Sequence, residues 1–434
     1  MVEQGYRERL AASPMTPFQI TAIALVAALC TLDGFDLFAI TFIVPVLEQD
    51  WGVNKAQLGV VISVGLLGMA LGSLFLAPLA DLWGRRRMLL VNVSVVTTGT
   101  ALSAISNDIT MLGLSRLVTG MGIGGMVSVI NPLAGEYANA RRRDFCVAIV
   151  ALGIPMGGII GGVLAAWLLP SFGWRSLFIC ATGLGLGLLA LTWLFLLEPV
   201  ESLLSRPGEG TLEKANAFLR RCRQPALDTL PAGTARPGMR QVLARLFSRE
   251  MLPRTAQTVA IYFLYVISLY YMQSWIPAMV VDAGFNVSQA ATVSVFHSIG
   301  GIAGGFAMGL ATIRFDIRRC IATAFVTGAG LMTIFGFVHT QLALFVLVSA
   351  LLGFFMVGGM GCLYAVVSRS FPAEIGASGA GLVMGTSRIG SAIAPALAGF
   401  LFATGLDRSI VSILMAVPAI IAALLVIRLK LARG

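Results

Sequence analysis

The chain has 434 residues, of which 57% are hydrophobic and 12% charged, with a formal net charge of +10. So small a charged share excludes an ordinary soluble domain and points to a polytopic membrane protein. The basic residues are spread among short loops between apolar runs, a pattern of positive-inside topology rather than of a nucleic-acid-binding face. Six cysteines (30, 146, 180, 222, 320 and 362) show no CxxC or metal-like spacing. They read as reduced packing residues, with no metal or cofactor expected.

In chain order, the polar head 1–19 runs into an apolar segment too long for a signal-peptide core, so no cleavable signal is expected. Stretches of spanning length fall near 20–46, 57–83, 88–106, 110–137, 146–169 and 176–197. A second set falls near 257–281, 290–313, 320–339, 343–370, 377–404 and 409–427. The expected architecture is therefore an all-α integral membrane protein of twelve transmembrane helices in two six-helix halves, 1–197 and 254–434. The segment 198–253 between them reads as a basic linker, rich in Pro and Gly, with short amphipathic pieces at 211–223 and 239–249.

Twenty-five of the thirty Lys and Arg fall on one side of this topology. They include Arg7 and Arg9, the runs Arg85–Arg87 and Arg141–Arg143, and ten residues of the central segment. Both termini are thus expected in the cytoplasm. The halves echo each other at an offset of 232–233. Ala77-Pro-Leu-Ala-Asp81-Leu-Trp-Gly84-Arg-Arg-Arg87 is answered by Gly309-Leu-Ala-Thr-Ile313-Arg-Phe-Asp316-Ile-Arg-Arg319, and Trp174-Arg175-Ser176 by Asp407-Arg408-Ser409. A duplicated six-span unit is a construction of transporters, with the substrate site at midplane between the halves.

The first span carries Asp33-Gly34-Phe35-Asp36 inside an otherwise apolar run. Acids within a membrane helix usually face an interior cavity and mark an ion or substrate pathway. Three residues apart, the two side chains project about 60° from each other, onto one face. Arg116 lies roughly 9 Å inside its span and Arg388 near midplane, at the helical rise. A guanidinium at such depth needs an acidic partner, a cavity or an anionic ligand, and grips a carboxylate bidentately.

The 2–3 loop, Ala77-Pro-Leu-Ala-Asp81-Leu-Trp-Gly84-Arg85-Arg86, resembles the signature of the major facilitator superfamily, with Ala77 for its leading Gly and Leu82 for its first Arg. Further features give a closer resemblance to the aromatic acid:proton symporters. They are Asp33-Gly-Phe-Asp36, Arg116-Leu-Val-Thr-Gly120-Met-Gly122-Ile-Gly124, Glu136-Tyr137 before Arg141–Arg143, Trp275-Ile-Pro277 with Asp282-Ala-Gly284, and Gly385-Thr-Ser-Arg388-Ile-Gly390 with Pro395. The chain departs from that family in Pro372-Ala-Glu-Ile-Gly376-Ala-Ser-Gly379, where Gly376 replaces the usual Arg; the difference bears on the substrate rather than the fold.

The resemblance implies a monomeric carrier in the cell inner membrane that imports a small aromatic carboxylate, such as hydroxybenzoate or benzoate, together with protons. Asp33, Asp36, Glu136 and His297 are the candidates for proton coupling. Arg388 and Arg116 are the candidates for the substrate carboxylate, with a fixed Arg–Asp pair between helices the alternative for both and a proton relay a further one for Arg116. Trp275 and Tyr364 are the aromatic candidates for substrate contact; Phe35, Phe38, Tyr262 and Tyr270 sit in spans that line the cavity in this superfamily. Asp81, Gly84, Arg85 and Arg86 are expected to gate.

Two other transport readings stay open: import of another organic acid or a polyol (quinate-, nicotinate- or sugar-like), and antiport of a drug or metabolite. Glu198-Pro-Val-Glu201-Ser202 faintly resembles a sugar-porter motif, and Gly153-Ile-Pro155-Met-Gly157-Gly158 an antiporter one. No nucleophile–base pair, metal cluster or phosphate loop supports an enzyme.

Overall fold

Hydrocarbon offers the backbone no hydrogen-bond partners, so a chain this apolar satisfies its peptide groups within continuous helices. The computed structural model describes residues 2–204, 210–230, 245–249, 251–372 and 375–429, and contains no strand among them. Twelve of the described helices are long and apolar enough to cross a membrane. In the first half they are α1 (Pro17–Trp51), α2 (Lys55–Ala80), α3 (Arg85–Ala104), α4 (Ile109–Tyr137), α5 (Ala140–Phe172) and α6 (Arg175–Phe195). In the second they are α7 (Leu252–Asp282), α8 (Val287–Arg314), α9 (Ile317–Phe337), α10 (Leu342–Val367), α11 (Ser378–Ala403) and α12 (Arg408–Arg428).

The boundaries follow local chemistry. A capping box between Thr16 and Gln19, with Pro17 in the first turn, starts α1 ahead of the apolar run, and Gly52 at φ 62° ends it. Pro155 has no N–H to give the carbonyl four residues back, and α5 breaks at Leu152. Pro78 does the same to α2 near Leu76.

The internal repeat is a repeat of contacts. The box Asn54/Gln57 that starts α2 recurs 232 residues later as Asn286/Gln289 at the start of α8. Arg175 donates to the carbonyl of Ser106 beyond α3, and Arg408 to that of Val338 beyond α9, so each half uses the same arginine to cap the same helix end. Glycines let α2 and α4 touch backbone to backbone, and α8 and α10 likewise. A Cβ on Gly72 would lie 1.9 Å from the Met121 carbonyl oxygen, and one on Gly304 2.0 Å from that of Phe354. The same holds for Gly120 against Gly65 (2.0 Å) and Gly353 against His297 (1.9 Å).

The halves meet through α2 against α11 and α5 against α8, at the end opposite the arginine-rich loops. Gly59 packs on the Pro395 carbonyl, Gly399 on that of Lys55, and the Ala396 N–H donates to Ser63 Oγ at 2.9 Å. Gly162 packs on Val295 and Gly158 on Ser298. An ion pair bridges the same end, Lys55 Nζ to Asp282 Oδ2 at 2.6 Å, with the ammonium 5.6 Å from the Phe402 ring. The bundle is therefore sealed at this end.

At the basic end, two further helices dock on the first half. Helix Val2–Ala12 buries Tyr6. Helix Thr211–Arg221, within the segment read as a linker, buries Ala215, Phe218 and Leu219, which share one face at helical spacing. Phe218 packs on Phe18 and Tyr137. This part of the segment is thus bound to the first half as well as joining the two. The amphipathic piece at 239–249 lies mostly outside the described residues.

Reversing one charge of the bridging pair should loosen the sealed end. In Asp282→Lys, a cysteine introduced at Ser63 should react with a membrane-impermeant maleimide about two- to fivefold faster, in line with the ~0.5–1 kcal/mol of a partly exposed pair. The double swap Lys55→Asp/Asp282→Lys should restore the slow rate. Equal rates in all three would show that the pair does not hold this end shut.

Candidate functional site

The two acids of α1 lie one turn apart yet have different surroundings. Asp36 is taken by Arg116 of α4, whose Nη1 donates to both carboxylate oxygens at 2.9 and 3.0 Å. Thr100 of α3 adds a hydroxyl donor at 3.2 Å. The remaining donors of Arg116 go to Ser103 and Thr119, and the guanidinium lies 4.8 Å from the Phe178 ring centroid. Both partners are buried, so deleting either strands a charge, a loss of about 3–5 kcal/mol. Arg116 therefore stands in a fixed ion pair with Asp36, and its guanidinium has no donor left for a substrate in this state.

Asp33 has no such partner. Its side chain is buried, with the residue 1% exposed, and neither carboxyl oxygen accepts a hydrogen bond. Gly34 beside it lets α5 approach: a Cβ there would lie 2.1 Å from the Ile154 carbonyl oxygen. The cation within electrostatic reach of Asp33 is Arg388, on α11 of the other half. Arg388 is half-buried, and its guanidinium has no hydrogen-bond or ion-pair partner among the described residues. Tyr262 and Tyr270 of α7 and Tyr364 of α10 lie in electrostatic range of the same guanidinium.

A cavity of about 500 Å³ of empty space, counted with its open mouth, reaches this group at Tyr270; Asp33, Arg388 and Tyr364 are not among its lining residues. It is lined by α1, α2, α4 and α7, among them Asp36, Phe38, Arg116, Tyr270 and Gln273. Tyr364 stands edge-on to Tyr262, ring centroids 5.9 Å apart, and is 46% exposed close to Arg388.

The other expected site residues are dispersed. Trp275 is fully buried, donates its indole N–H to the Pro395 carbonyl at 3.2 Å and packs on Phe402. It fastens α7 to α11 at the sealed end and does not line the cavity, a correction to its expected substrate contact. Its apolar neighbours in α7 gave no sign of which face it takes. His297 lies between α8 and α10, with Nδ1 3.2 Å from the Ser349 carbonyl oxygen and Nε2 unbonded. It too lies away from the cavity lining.

Glu136 pairs with Arg85 at the basic end. Gly84, at φ 103°, makes the turn into α3 that a residue with a Cβ would strain to adopt. Behind it the Arg85 and Arg86 amides donate to the two carboxylate oxygens of Glu198, at 2.6 and 3.0 Å. Arg86 also donates to the Trp193 carbonyl at 2.6 Å. Glu198 thus sits as an anion on a helix N-terminus, and Gly84, Arg85 and Arg86 fasten the 2–3 loop to their own half. The side chain of Asp81 lies outside the described residues.

Sequence reasoning passed over three features. In sequence, Glu198 belongs only to a string resembling a sugar-porter motif. The hydroxyls of Ser103 and Thr119 belong to a helix pairing that sequence does not reveal. Tyr270 was one of several aromatics in cavity-lining spans, and only the structure separates it from Trp275.

The chain is 30% identical to a gallate transporter of Pseudomonas putida, over 95% of this chain and 92% of that one. It is 30% identical to a 4-hydroxybenzoate transporter of Acinetobacter baylyi, over 92% and 89%. A bacterial homologue of the human lysosomal transporter Spinster, solved in an inward-facing and unoccupied conformation, superposes with a TM-score of 0.71 at 14% identity, covering 97% of this chain and all of that one. Residues 26–309 and 258–433 match the Major Facilitator Superfamily. The chain is a membrane transporter belonging to that superfamily.

Proposed function

We propose that this transporter carries a small aromatic carboxylate into the cell together with a proton, by alternating access across a bacterial inner membrane. In this reading the basic end of the bundle, with both termini, is cytoplasmic, and the sealed end faces outward. The observation that carries the reading is the pair of unpartnered opposite charges, Asp33 in one half and Arg388 in the other. The relatives that carry gallate and 4-hydroxybenzoate support the choice of substrate class.

Charge bookkeeping makes the coupling. Empty, the site holds Asp33⁻ and Arg388⁺, which offset each other. A substrate carboxylate takes the guanidinium, the group best suited to grip it. Asp33 is then an uncompensated buried anion, and a proton removes that charge. The loaded site, with neutral Asp33, Arg388⁺ and the substrate anion, again carries no net charge. Substrate without proton leaves −1, and proton without substrate leaves +1. A net charge at midplane costs about 3 kcal/mol even on the lower scales, which makes half-loaded turnover roughly 100-fold rarer. Asp36 stays tied to Arg116 and acts as a fixed strut of the first half.

Two measurements test this. Cells producing the wild type should accumulate labelled 4-hydroxybenzoate, and a protonophore should abolish the accumulation; Asp33→Asn should equilibrate the acid without concentrating it. Gradient-driven accumulation by Asp33→Asn would remove Asp33 from coupling. In Arg388→Ala, the KM for the carboxylate should rise about 10- to 100-fold, the worth of a charged hydrogen bond, with little effect on inhibition by the uncharged benzamide. Equal losses for both compounds would make Arg388 a structural residue.

A further inference from the structure

Of the seven tyrosines, Tyr137, Tyr265 and Tyr271 are fully buried with their hydroxyls committed to packing. Tyr137 donates to the Leu197 carbonyl and Tyr265 to that of Met356, while Tyr271 bonds Ser412 Oγ at 2.8 Å. Tyr6 belongs to the short helix that precedes α1. The remaining three, Tyr262, Tyr270 and Tyr364, come from α7 and α10 and gather about Arg388. Tyr262 and Tyr364 have their hydroxyls within reach of each other, whereas for Tyr270 a Phe would fill the same volume more cheaply in an apolar helix.

Tyr270 holds the key position among them. It lines the cavity together with Phe38, and it lies within electrostatic range of both Arg388 and Asp33. Its hydroxyl makes no hydrogen bond with the protein among the described residues. A carboxylate held by Arg388 has these phenols within electrostatic range of its anchor, and Tyr270 alone among them lines the cavity. A phenol that both donates and accepts matches a hydroxyl carried on that ring.

Resting on the function proposed above, we infer that Tyr270, backed by the Tyr262–Tyr364 pair, selects for ring hydroxyls. The substrate class narrows to phenolic carboxylates, and Tyr270 discriminates them from unsubstituted benzoate. Arg388 supplies the grip common to every aromatic acid, and the tyrosines supply the preference among them. A site built to bond a hydroxyl rejects the analogue lacking it, because its own polar group is left unpaired.

The experiment measures uptake efficiency, as kcat/KM, for 4-hydroxybenzoate, 3,4,5-trihydroxybenzoate and benzoate in cells producing the wild type, Tyr270→Phe, Tyr364→Phe or Tyr271→Phe. The wild type should prefer at least one hydroxylated acid over benzoate. In Tyr270→Phe that ratio should fall about three- to tenfold, the worth of one neutral hydrogen bond, whatever the absolute rate. Tyr364→Phe should lower it in the same direction, while Tyr271→Phe, whose hydroxyl serves Ser412, should keep the wild-type ratio. A wild type indifferent to ring hydroxyls, or an unchanged ratio in both Tyr270→Phe and Tyr364→Phe, would overturn this inference and leave the carboxylate–proton reading intact. Uptake of none of the three acids by the wild type would overturn both.

Discussion

The cost of an uncompensated charge in hydrocarbon is the constraint on which this structure depends. It explains why Arg116 and Asp36, both buried, meet with two hydrogen bonds and a shell of hydroxyls. It also makes Asp33 the exception, a carboxyl on the same helix to which the fold gives no donor. One acid is anchored inside its own half, and the other is offset only across the divide between halves. An ion pair that closed entirely within one half could hold helices together but could not sense which way the halves lean. In the proposed mechanism Asp33 and Arg388 can, because they lie on different halves.

The rest of the fold supplies a rigid frame for that pair. Glycine contacts weld α2 to α4 and α8 to α10, each with carbonyls where a side chain would stand. Each half is therefore tightly packed within itself, and contact between the halves is concentrated at one end. There the α2–α11 and α5–α8 seams and the Lys55–Asp282 bridge close the bundle. At the other end, Glu198 and Glu136 tie the arginines of the 2–3 loop to the first half.

Much of the fold was legible in the sequence because a bilayer admits so few alternatives. All twelve spans fall where apolar length put them, and the echo at an offset of 232–233 reappears as repeated caps, Asn54/Gln57 with Asn286/Gln289 and Arg175 with Arg408. The depth of Arg116 and Arg388 was readable from helical rise alone. Their division of labour was not, because it depends on which helix faces which. Asp33 and Asp36 look equivalent in sequence, and only the placing of α3 and α4 assigns Arg116 to the second. Trp275 and Tyr270, five residues apart on α7, differ for the same reason: one faces α11 at the seam, the other the cavity. The helix Thr211–Arg221 shows the reverse case, an amphipathic face visible in sequence whose partner, Tyr137, was not.

Proton uptake on substrate binding measures the coupling between Asp33 and Arg388 most directly. When 4-hydroxybenzoate is added to the purified protein in weakly buffered, mildly alkaline solution, the wild type should bind it and withdraw protons, raising the pH. Asp33→Asn should bind the acid with no such change. Equal proton uptake by the two proteins, at equal occupancy, would contradict the assignment of the proton to Asp33.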